Sequence, residues 1–112
     1  MTRLLAATEA GAICRQVESQ GGFAAVLRKG DAERGSILLV VGSRGKHSAC
    51  LERMLGPSGN YEWAQVGPDG TESGQKLAEF LENRMRFDED LWLIDLDVAH
   101  PERFIAETIR PA

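Results

Sequence analysis

From Leu4 to Val17 the large apolar residues Leu4, Leu5, Ile13 and Val17 form a sparse stripe among alanines. Alanine favours helix and glycine stops it, so the pattern predicts a helix over 3–20, weakened at Gly11 and ended by Gly21 and Gly22. Two apolar runs follow, FAAVLRK from Phe23 and SILLVVG from Ser36, separated by the glycine-bracketed stretch GDAERG. Such a pair predicts a β-hairpin. Ile37 to Val41 lacks any polar alternation, which marks a central strand covered on both faces. Residues 47–54 fit two states. Cys50, Leu51, Met54 and Leu55 make a helical face, whereas Ala49, Leu51 and Leu55 make a strand face.

Beyond them GPSGN at 56–60 reads as a turn, and YEWAQV at 61–66 alternates aromatic and polar residues as a strand does. After the loop GPDGTESG, Leu77, Phe80, Leu81 and Met85 fall at helical spacing over 75–86, with Glu82 and Arg86 paired four apart. LWLIDLDV is a strand that sets Trp92, Ile94, Leu96 and Val98 on one face. HPERFIAETI then offers Pro101 as a first helical residue and Phe104, Ile105, Thr108 and Ile109 along one side. The order is α-β-β-β-β-α-β-α. Short turns predict antiparallel neighbours, so the chain reads as a single α+β domain over 1–112: a mainly antiparallel sheet of about five strands with two or three flanking helices.

Composition narrows the class. At 43% hydrophobic and 27% charged, the chain has the make-up of a folded domain rather than a disordered one. Two cysteines, Cys14 and Cys50, are too few for a disulfide framework or a cysteine-rich zinc site. They read as buried thiols of a reducing compartment. The apolar run Leu4–Ala7 is too short for a signal-peptide core, and no stretch has the length to cross a membrane, so a cytoplasmic, soluble protein is expected. The net charge of −4 is uneven: eight basic and five acidic residues up to Arg53, five and twelve after it.

The stretch ILLVVGSRGKHS invites a phosphate-loop reading, which fails on three counts. Gly42 and Gly45 have two residues between them rather than four, so the loop is too small to surround a phosphate. His47 stands where the magnesium-binding hydroxyl belongs, and the surrounding pattern is not strand-to-helix. A tight strand-to-strand turn is predicted instead. Asp95 and Asp97 lie two apart near a strand end, on one face, with His100 and Glu102 close behind. They are the candidates for a metal site, against a plainer role in which Asp97 or a neighbour caps the next helix. His47 and Cys50 suggest an imidazole–thiolate pair; on a regular strand their odd spacing sends them to opposite faces.

Nucleic-acid binding would need Arg28, Lys29, Arg34, Arg44, Lys46 and Arg53 on one surface. The predicted hairpin divides them between strand ends roughly 20 Å apart, with Asp31, Glu33 and Glu52 offsetting one group. Nucleic acid is therefore not an expected partner. Tyr61 and Trp63 share a strand face and, with Arg44 and Lys46, are the candidates for a partner-facing surface.

The segments GFAAVLRKGDAERGSILLVV and FDEDLWLIDLD resemble the short, mainly alphaproteobacterial proteins grouped as domain of unknown function 1491. The likeness runs from the second half of the first helix to residue 98. It implies that residues 47–55 form a strand, while HPERFIAETI departs from the shorter family ending. It carries no activity, cofactor or catalytic residue. The expectation is a non-catalytic interaction or accessory module, acting on a protein partner or a second copy, with no cofactor and no membrane. The alternatives are a metal-dependent enzyme using Asp95 and Asp97, and a nucleic-acid binder using the basic strand ends.

Overall fold

Two runs of the chain are apolar on both sides of an extended backbone: Ile37 to Val41, and Leu91 to Ile94 with Leu96, all buried. Each needs a strand along both edges and a helical layer on both faces. The computed structural model, which describes residues 5–109, meets both needs with one sheet; positions 3 and 4 of the predicted first helix lie outside the described residues. The elements are α1 (Ala6–Ser19), β1 (Phe23–Arg28), β2 (Ile37–Ser43), β3 (Lys46–Leu55), β4 (Tyr61–Val66), α2 (Gly74–Phe87), β5 (Trp92–Asp97) and α3 (Pro101–Ile109). Their order along the chain matches the predicted one, and residues 47–54 are strand. The sheet order is β1-β5-β2-β3-β4. β2 and β5 are parallel; every other neighbouring pair is antiparallel.

That order corrects the expected hairpin. β1 and β2 do run in opposite directions, but they do not pair, because β5 lies between them. GDAERG is a bridge across the start of β5. The Asp31 N–H donates to the Asp90 carbonyl at 3.0 Å, and the Trp92 indole N–H donates back to the Asp31 carbonyl at 2.7 Å. Gly30 and Gly35 both press on the Asp90 carbonyl, where a Cβ would collide with it and with the Trp92 ring. The carbonyls of Ala32 and Glu33 accept from the N–H groups of Ala7 and Ala6, which caps the start of α1 in place of a side chain. One polar loop thus fixes α1, β1, β2 and β5 together.

Helices cover both faces. Ile37, Leu39, Val41, Leu51, Trp92, Ile94 and Leu96 pack beneath α1 and α3, against Ala6, Ala10, Val17 and Phe104. Leu38, Val40, Cys50, Leu91 and Leu93 pack beneath α2, against Leu77, Phe80, Leu81 and Met85. The β2–β3 connection is a two-residue turn with Arg44 at φ 52° and Gly45 at φ 81°, and Ser43 faces Lys46. Two consecutive positive φ values are the signature of the tight turn that suits a twisted hairpin.

Adjacent residues of β3 tie the sheet to both helical layers. Glu52 accepts two hydrogen bonds from the Arg84 guanidinium of α2, each 2.6 Å, and is 8% exposed. Arg53 points the other way, its Nε 2.9 Å from Glu9 Oε2 of α1. The Arg53 N–H is not aimed along that line, so the contact is Coulombic rather than an aligned hydrogen bond.

Gly30→Ala forces backbone against backbone where β5 passes the loop, and its expected cost is about 2–3 kcal/mol in urea unfolding. Wild-type stability would refute the close approach. Arg84→Met strands the Glu52 carboxylate and costs about 3 kcal/mol, whereas adding Glu52→Leu recovers most of it. A double variant as unstable as the single one would show that packing, not the ion pair, holds α2.

Candidate functional site

The parallel strands β2 and β5 end side by side, at Gly42 and Asp97. From there the chain leaves in different ways, into the β3 hairpin and into α3, and a cleft of about 200 Å³ opens at the strand ends. Clefts at the carboxyl ends of parallel strands are the usual ligand position in open sheets. The floor includes Val40 and Leu77; Lys46, His47, Asp95 and Asp97 stand around it. The expected alignment of the two carboxylates on one face therefore holds, on the side of α2.

The surroundings give each group a task. Asp97 Oδ1 accepts from the backbone N–H of Arg44 at 3.2 Å, so it holds the tight turn. The His47 Nε2–H reaches the Pro68 carbonyl at 2.9 Å, and the Gly70 N–H donates to the Ser48 carbonyl at 2.8 Å; together they fasten the β4–α2 loop. Burial raises the Asp95 carboxyl above its ordinary range, and repulsion from Asp97 adds to the rise while His47 opposes it. Asp95 keeps one side in water, so the burial acts on the face turned toward the cleft floor. Among the described residues no three His, Cys, Asp or Glu side chains converge as a metal ion requires.

Cys50 and His47 lie on the same face of the sheet, against the opposite faces that a regular strand predicts. An extra residue, Ser48, bulges out where Val41 faces Ala49 and Gly42 faces His47. The bulge reverses the parity and brings His47 to the α2 side, where Cys50 also lies. Even so, burial alone pushes the Cys50 thiol up to about 11, with no contribution from the imidazole. The thiol stays protonated near neutral pH and is not an activated nucleophile.

The aromatic candidates are engaged within the fold. The Arg53 guanidinium carbon lies 5.7 Å from the Tyr61 ring centre and 5.8 Å from that of Trp63, and Trp63 packs on the core. Arg44 and Lys46 are exposed at the β2–β3 turn. Arg28, at the opposite end of the sheet, donates to the carbonyls of Met85 and Glu89 at 2.8 and 2.9 Å and so caps α2. The basic side chains are placed at two separate ends, as the strand geometry predicted.

Sequence reasoning missed the surface of β1. Phe23 is 73% exposed, Val26 47% and Leu27 58%, on a strand that forms one edge of the sheet. From the sequence, FAAVL is predicted only as one strand of a hairpin. The available signal was the brevity of the run and its two central alanines, which bury little area.

Asp95→Asn is expected to melt higher than wild type at neutral pH. Because the folded carboxyl titrates above the unfolded one, ionisation costs more in the folded protein. The difference should therefore close as pH falls below the ordinary aspartate range. A gap in melting temperature that persists in acid would show that the amide acts by packing instead.

Comparison with known proteins agrees with this architecture. The family model described as "Protein of unknown function (DUF1491)" matches residues 4–106. A crystal structure of a DUF1491 family protein from Caulobacter crescentus CB15 has a TM-score of 0.75 and 26% identity over 85% of this chain and 88% of that one. A solution structure of an A. tumefaciens protein gives 0.71 and 25%, over 87% of each chain. The NMR structure of a Caulobacter DUF1491 protein gives 0.68 and 28%, over 87% and 90%. No match is found among curated proteins. The chain belongs to the DUF1491 family of proteins of unknown function.

Proposed function

We propose that this protein is a small interaction module without catalysis of its own, which docks an extended segment along the open edge of β1. The observation that carries the reading is the exposure of Phe23, Val26 and Leu27 on an edge strand that has no charge or proline before Arg28. Natural edges are normally blunted by lysine, proline, a bulge or a covering element, because their unpaired N–H and C=O groups template further pairing. Here the bulge between Val26 and Arg28 affects only the far end of the strand. An added strand satisfies those backbone groups, and pockets for alternate side chains supply selectivity. The cleft beside Asp95 offers less: two carboxylates, one already holding the turn, and a protonated thiol elsewhere on that face.

A reducing compartment, the cytoplasm, suits the two unbonded thiols Cys14 and Cys50, and no helix among the described residues is long and apolar enough to cross a membrane. Recovery of the protein in an oxidising fraction of source cells would overturn that location.

The docking reading is tested by affinity capture from source-cell lysate with wild type, Val26→Lys and the surface control Glu79→Ala. A lysine in the middle of the edge opposes strand addition, so the captured partner should disappear with Val26→Lys and persist with Glu79→Ala. Identical captures from all three proteins would sink the edge as the docking element.

A further inference from the structure

We infer that the occupant of the β1 edge is a second copy of this chain, paired antiparallel through β1 about a two-fold axis at Ala25. This rests on the docking reading above and adds the partner's identity. A closed pair of identical chains requires a self-complementary patch. For an antiparallel strand pair the axis stands normal to the sheet, so each face continues into the same face of the other copy and one residue of β1 faces itself.

The sequence of β1 suits that residue being Ala25. Ala24 and Val26 lie on the α1 side, opposite Leu96 and Ile94 of β5, while Phe23 and Ala25 lie on the other side, opposite Asp97 and Asp95. With Ala25 on the axis, Ala24 faces the partner's Val26 and Phe23 faces the partner's Leu27. Each large exposed side chain gains a neighbour, and the two small residues let the backbones approach. An axis at Ala24 would instead set Val26 opposite a glycine, Gly22, and leave Leu27 uncovered.

Charge agrees with the same register. Lys29 follows the apolar part of β1 and Glu18 precedes it, whereas Arg28 is held by the carbonyls of Met85 and Glu89 and Asp97 by the Arg44 N–H. Antiparallel pairing brings the cationic end of each strand to the partner's acidic end, and no like charges face each other within β1. Asp31, near the cationic end, is turned into its own loop, where Oδ1 accepts from the N–H groups of Glu33 and Arg34. The bulge falls at Leu27, so the straight portion, Phe23–Val26, sets the pairs of Ala24, Ala25 and Val26, and Leu27 meets the partner's Phe23 from the bulge. The two five-stranded sheets become one continuous sheet, with β1 no longer an edge.

The test combines solution mass with site-directed crosslinking, in a Cys14→Ser background and with oxidised glutathione as oxidant. Facing residues of an antiparallel pair have Cα atoms about 4.5–5.5 Å apart, inside the disulfide range. Ala25→Cys should therefore form a disulfide-linked dimer readily, whereas Ala24→Cys, whose counterpart sits two residues along, should not. Wild type should sediment at twice the chain mass, and Val26→Lys should raise the dissociation constant by about tenfold or more. A wild type that is monomeric at every concentration, or crosslinking that is equal at 24 and 25, overturns the self-pairing. If wild type is monomeric but still captures a foreign partner that Val26→Lys loses, only the second copy falls and the docking edge stands. If neither mass nor capture depends on β1, both fall.

Discussion

The passage of β5 between β1 and β2 is the constraint on which the rest of this fold depends. Trp92 to Ile94 and Leu96 are buried under helices on both faces of the sheet, so the strand has no stable place at an edge. Its entry forces GDAERG to open from a turn into a bridge. It also demands glycine at positions 30 and 35, where Asp90 and Trp92 pass, and it uses the bridge's carbonyls to start α1. The two segments that carry the family likeness, Gly22 to Val41 and Phe87 to Asp97, are the two sides of this junction.

The surfaces with functional potential are consequences of the same insertion. Because β5 is parallel to β2, both strands finish at one end of the sheet and leave the cleft that Asp95 and Asp97 border. Because β5 takes the place beside β2, β1 is displaced outward and presents Phe23, Val26 and Leu27 to solvent. Within the cleft the polar groups are largely committed to structure: Asp97 to the turn, His47 to the β4–α2 loop. Among the described residues, the edge of β1 carries no comparable commitment along its apolar part.

β3 shows how a single strand integrates two helical layers. Glu52 and Arg53 are consecutive, so they point to opposite faces, and each meets an opposite charge on a different helix, Arg84 of α2 and Glu9 of α1. Such pairs gain little net energy after desolvation, but they penalise any slip of register, since a one-residue shift would send both charges to the wrong layer. The Tyr61–Arg53–Trp63 stack extends the arrangement to β4.

Local pattern determined all the elements but one. Period-3.6 spacing located three helices, apolar runs and period-two alternation located four of the strands, the glycine positions gave the tight turn after Ser43, and the unbroken run Ile37–Val41 marked β2 as central. Family likeness was needed to choose strand for residues 47–55, whose apolar spacing suits both states. Strand order, the β3 bulge that moves His47 across the sheet, and the exposure of β1 were decided only by tertiary structure. The reason is that a hairpin signal reports direction and loop composition, both of which are correct here, while adjacency depends on which apolar strand competes for the central place. That competition involves residues more than fifty positions apart, and β5, apolar on both faces, displaces β1, which has alanines at its centre.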